Sequence, residues 1–68
     1  MATYKKLGEK IRKIRRKRKL TQERLAELAK VDPKSIIEIE AGKRNPTLKT
    51  ISKIANALGI EVKDIFPF

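Results

Sequence analysis

A chain of 68 residues can hold one domain with one small core, and with no cysteine or histidine it lacks disulfides, thiolate metal sites and the commonest metal ligand and general base. Metalloenzymes and histidine-dependent hydrolases are excluded on that ground, and no metal or cofactor is expected. Eighteen Lys and Arg against eight Asp and Glu give a formal net charge of +10 and attract polyanions across a Debye length, nucleic acid first and an anionic membrane surface second.

Tyr4, Leu7, Ile11 and Ile14 recur at spacings of 3, 4 and 3, which predicts a helix from about Thr3 to Arg18 with one narrow apolar stripe. The rest of that helix is basic: residues 5 to 19 contain ten Lys or Arg and a single acid, Glu9. Arg15 lies four residues after Ile11, on the edge of the stripe, where a charge is costly unless an acid meets it. Thr21 is suited to N-cap a second helix over roughly Gln22 to Ala29, with Leu25, Leu28 and Ala29 facing inward. Asp32 as N-cap and Pro33 at the first helical position open a third helix to about Ala41, burying Ile36 and Ile39, and Gly42 supplies its left-handed stop. The connection between these two helices has the length of a helix-turn-helix turn, so the motif is placed at about 21–41. After the "KRNP" loop, Thr47 caps a fourth helix with Leu48, Ile51, Ala55 and Leu58 at helical spacing, Ile54 alongside, and Gly59 at its end. "IEVKDIF" is read as a fifth, short helical piece whose Ile60, Val62 and Ile65 are available to close the core before Pro67. The expectation is one all-α, five-helix domain over residues 1 to 68. No apolar run approaches a membrane span and no secretory leader is visible, so the cytoplasm is the default compartment.

With the helices placed, four segments in order, "LTQERLAELA", the isoleucine at 36 with "IE" at 39 and 40, "GKRNPTL" and "IANALGI", resemble the phage-repressor and Cro-like (XRE-type) helix-turn-helix family of small bacterial and phage regulators. The resemblance runs from Leu7 to about Phe66 and is specific as a set. It implies a lambda-repressor-like fold in which the helix from Gln22 lies across the DNA backbone and the helix from Pro33 enters the major groove. It also implies an ion pair between Glu40 and Arg15, a structural role that answers the awkward position of Arg15.

The same resemblance carries base contact onto Pro33, Lys34 and Glu38. Lys34 can donate to guanine and Glu38 can accept from cytosine; as ordinary surface residues four apart, the two would instead form an exposed ion pair. Pro33 replaces a frequent glutamine and offers neither a side-chain amide nor a backbone N–H, so shape readout gains weight at that position. Ile37 points away from the buried face and has two readings, a methyl contact with thymine or packing on the preceding helix. Gln22, at the positive end of the second helix, is placed on a phosphate. Lys43 and Arg44, with Asn45 beside them, are placed on the DNA backbone just after the third helix. Part of the basic first helix reads as a solvated face, and Arg16 to Lys19 as charge that steers DNA without touching it.

One such module buries little surface, so a two-fold dimer on paired half-sites is expected, with Ile65, Phe66 and Phe68 of the "DIFPF" tail as its contact. Alternatively Phe66 closes the core and Phe68 frays. The leading function is a sequence-specific, dimeric regulator of transcription, of the repressor or restriction-modification controller type, acting on double-stranded DNA. The competing reading is an antitoxin-like module that binds a toxin-like protein partner and uses DNA for autoregulation, favoured by Ile37 and the phenylalanine tail. A basic membrane-surface helix is a poorer reading, because the apolar face of the first helix is needed by the core. An enzyme is not expected. Met1 and the closing "FPF" suggest a complete small regulator.

Overall fold

The computed structural model describes residues 2–66. Its order is α1 (Ala2–Lys17), α2 (Gln22–Ala29), α3 (Pro33–Glu40) and α4 (Leu48–Leu58), followed by one 3₁₀ turn (Val62–Asp64). Among the described residues the count is therefore four α-helices, with the expected fifth, short helical piece present only as this 3₁₀ turn. The segment from Glu61 closes through i→i+3 bonds, from the Asp64 N–H to the Glu61 carbonyl and from the Ile65 N–H to the Val62 carbonyl, both 3.0 Å, and the Asp64 carboxylate accepts from the Glu61 N–H at 3.1 Å.

Helix starts follow side-chain chemistry. Thr21 Oγ1 accepts from the Arg24 N–H at 3.0 Å, the Asp32 carboxylate from the Lys34 N–H at 2.9 Å, and Thr47 Oγ1 from the Thr50 N–H at 3.1 Å. Each satisfies an N–H that the helix itself leaves free. All four helices end in the same way, with a residue in the left-handed region followed by a bond back to a carbonyl five residues earlier, as in Leu20 to Arg15 and Lys43 to Glu38. Gly42 and Gly59 hold that conformation after α3 and α4, but Lys19 (φ 57°) and Lys30 (φ 58°) hold it after α1 and α2, where a lysine gives no such signal in the sequence.

The core joins Leu7 and Ile11 of α1, Leu25, Ala26 and Ala29 of α2, Ile36 and Ile39 of α3, Ile51, Ile54, Ala55 and Leu58 of α4, and Ile65 beyond the 3₁₀ turn. One inward assignment is corrected. Leu28 is exposed, because α2 packs on both α3 and α4 and its buried line runs through Leu25, Ala26 and Ala29, leaving Leu28 on the flank. Leu48 is also exposed, at 68%. It keeps the register of α4 but stands at the first helical position, where side chains lean back off the end of the packed body.

Gly8 sets how closely α1 meets α3. A Cβ there would lie 2.2 Å from the Ile39 carbonyl oxygen and 2.8 Å from that of Glu40, so the two helices cross with backbone against backbone. Among the described residues no helix is long and apolar enough to cross a membrane.

Candidate nucleic-acid interface

The close crossing of α1 and α3 brings Arg15 to Glu40. Arg15 Nε donates to Glu40 Oε2 at 2.7 Å and Nη2 to Oε1 at 3.0 Å, while Nη1 donates to the Leu20 carbonyl at 2.7 Å. Both residues are buried, at 8% and 6% exposure. The two-point geometry fixes the rotation of α3 about its own axis, since Glu40, Ile36 and Ile39 then share its buried side. What remains outside is one strip: Pro33, Lys34 and Ile37 are exposed and Glu38 is half-buried.

That strip is not organised as a simple row of independent side chains. Glu38 pairs with Arg44 (Nη2 to Oε1, 2.9 Å), and Arg44 Nη1 also donates to Ser35 Oγ at 2.6 Å. The alternative reading of Lys34 and Glu38 as an ion pair is corrected accordingly: no such bridge occurs among the described residues. The cause is the left-handed turn at Gly42, which folds the chain back so that Arg44 reaches the outer side of α3. Ser35, a residue with no DNA-binding signal in the sequence, thereby joins Arg44 and Glu38.

Gln22 also differs from expectation. Its Nε2 donates to Glu40 Oε1 at 3.1 Å, so the amide is turned toward the buried ion pair and completes its hydrogen bonding, and one N–H remains for a ligand. Lys43, Arg44 and Asn45 are exposed beside α3. The tail is corrected as well: Ile65 is fully buried and belongs to the core, so it offers no dimer contact, and Phe66 is half-buried against that core. Phe68 lies outside the described residues.

The arrangement is a short, rigidly rotated helix with a mixed outer face, preceded by a helix whose N-terminus opens beside it and followed by a cationic loop. The sequence pattern of the helix-turn-helix family matches residues 11–65. The chain belongs to the helix-turn-helix family. Relatives of this helix-turn-helix protein include the immunity repressor protein of Bacillus phage phi105, 44% identical over 59 residues that make up 87% of this chain and 41% of that protein. The control protein C.BamHI of Bacillus amyloliquefaciens is 42% identical over 62 residues, 90% of this chain and 76% of its own. Among solved structures, the restriction-modification controller protein C.AhdI from Aeromonas hydrophila superposes with a TM-score of 0.95 at 38% identity, covering 97% of this chain and 100% of that one. The chain thus spans less than half of the phage repressor's length but the whole of the C.AhdI chain.

Proposed function

We infer that this helix-turn-helix protein is a sequence-specific regulator of transcription that lays α3 in the major groove of double-stranded DNA. The observation that carries the reading is the buried Arg15–Glu40 pair, which holds α3 in one rotation and leaves Lys34, Ile37 and Glu38 on its outer side. Lys34 donates to guanine, Ile37 meets a thymine methyl, and Glu38 accepts from cytosine; Pro33 contributes shape at the start of the helix. The remaining N–H of Gln22, with Lys43, Arg44 and Asn45, holds the backbone in register. With about four to six phosphates neutralised per protomer, affinity falls with a log-log salt slope of roughly −4 to −5.

The protein acts as a two-fold dimer, a reading supported by the small surface that one module brings to a duplex and by the likeness to restriction-modification control proteins. Phe66, half-buried at the end of the described chain, is the contact. The workplace of such a regulator is the cytoplasm. A second reading, an antitoxin-like module with a protein partner, draws on the exposure of Ile37 (50%) and Leu48 (68%), and a stoichiometric partner co-purifying from the native host distinguishes it.

Amide chemical shifts of the ¹⁵N-labelled chain, titrated with a 20-base-pair duplex, test the docking. Changes at the first equivalent concentrate at Gln22, along 34–38 and at 43–45. Changes that spare α3 would remove the reading.

A further inference from the structure

The surface that α3 presents does not account for most of the charge. On α1, the residues that pack inward are Leu7, Gly8, Ile11 and Arg15. The opposite side carries Lys6, Arg12, Lys13, Arg16 and Lys17, all exposed, with Glu9 as its single acid. Among the described residues none of these five cations has an ion-pair partner. Local helix energetics does not explain them. Lys13 and Lys17, like Arg12 and Arg16, are like charges four apart, which destabilise a helix, and the first turn of α1 has no acid to meet its positive end.

The strip lies away from the recognition surface. α1 and α3 pack through their inner sides, where Gly8 meets the Ile39 carbonyl and Arg15 meets Glu40. Their outer sides therefore face apart, across a body of 27 × 22 × 21 Å. From Lys6 to Lys17 the cations extend over about 17 Å of helix at 1.5 Å per residue.

We propose that the outer side of α1 is a second binding surface for duplex DNA, so that one protomer holding a first duplex on α3 captures a second on α1. Charge complementarity supplies the attraction, and the chemistry of the strip selects the polyanion. It has no aromatic side chain on which single-stranded bases could stack, since Tyr4 lies on the inward stripe, half-buried. It has no exposed apolar residue to enter a lipid surface, because Leu7 and Ile11 are in the core. A row of unpaired cations without stacking or apolar groups fits a phosphate backbone read by charge alone. Two duplexes held apart by the domain are separated by about two Debye lengths at 0.1 M salt, so their mutual repulsion is largely screened.

The test is bridging. A biotinylated 30-base-pair duplex on beads is loaded with the full chain, washed, and offered a fluorescent 30-base-pair duplex in about 0.1 M salt. The wild-type chain retains the fluorescent duplex. The variant K6Q/R12Q/K13Q, altered only at exposed positions, binds the first duplex within about threefold of wild type. Its affinity for the second falls on the order of 10²–10³-fold if each lost cation neutralised one phosphate. Amide shifts on α1 beyond the first equivalent of duplex, absent in the variant, provide the matching readout. Failure to retain the second duplex overturns the proposal. So does retention by the variant at the wild-type level, which would assign bridging to recognition helices of two copies, and so does equal loss of first-duplex binding, which would place α1 on the same duplex. If α1 shifts while α3 does not, the α3 docking falls, and capture of a second duplex by the same protomer falls with it.

Discussion

Replacing Arg15 or Glu40 by methionine, singly and together, probes the contact that orients the recognition helix. In Arg15→Met the Glu40 carboxylate, 2% exposed as a side chain, keeps only the Gln22 amide at 3.1 Å. An uncompensated charge at such a site costs about 3–5 kcal/mol. Glu40→Met is milder, about 2–3 kcal/mol, because the guanidinium keeps the Leu20 carbonyl at 2.7 Å and its side chain is 10% exposed. A 68-residue domain has a total stability of only about 3–10 kcal/mol, so Arg15→Met stands close to unfolding. The double variant removes both charges and places two flexible apolar chains in the same space, returning to within about 1 kcal/mol of wild type. Urea unfolding followed by circular dichroism, analysed as a double-mutant cycle, should give a coupling energy of at least about 3 kcal/mol. Single losses below about 1 kcal/mol that simply add in the double variant are the behaviour of an exposed pair and would show that no buried contact joins Arg15 to Glu40.

Gly8→Ala runs against helix propensity. Alanine gains about 1 kcal/mol in a helix interior, yet the Cβ at 2.2 Å from the Ile39 carbonyl oxygen forces α1 off α3, and thermal melts should show a net loss of about 1–3 kcal/mol; a stabilised variant contradicts the crossing. Arg44→Ala frees Glu38 and Ser35, so on the α3 docking it relaxes preference at the base pair facing Glu38 by about 1–3 kcal/mol. A uniform loss across sequences with a salt slope smaller by about 1 would instead make Arg44 a phosphate contact alone. Leu48→Lys, at 68% exposure, leaves folding stability within about 0.5 kcal/mol, measured in the same urea assay; a larger loss would show that Leu48 packs.

The parts of the fold legible in the sequence are those governed by neighbours along the chain. Thr21, Asp32 with Pro33, and Thr47 mark helix starts because capping is a bond made within three residues, and Gly42 and Gly59 mark ends because a left-handed residue favours glycine. Lys19 and Lys30 hold the same left-handed conformation without the residue type that would announce it. Periodicity places Ile11, Ile36, Ile39, Ile51 and Ile54 in the core, but for α2 it does not say which flank is covered, since that depends on α3 and α4 together. Leu28 fell outside for that reason. Gly8 carries no local turn signal: its need is set by carbonyls more than thirty residues away. The site shows the same division. The outer face of α3 follows from its buried one, whereas Gln22 turning to Glu40, and Arg44 to Glu38 and Ser35, depend on tertiary approach. Ile65 reads equally as tail or core until the 3₁₀ turn directs it inward.

Selection from a random duplex pool at about 150 mM salt tests most directly whether α3 reads sequence. The expected result is enrichment of a two-fold symmetric motif with half-sites about one helical turn apart, narrowed at the base pairs that Lys34 and Glu38 face. Retention of duplexes without any shared motif, lost as salt rises, would contradict it and leave the net charge as the whole of the binding.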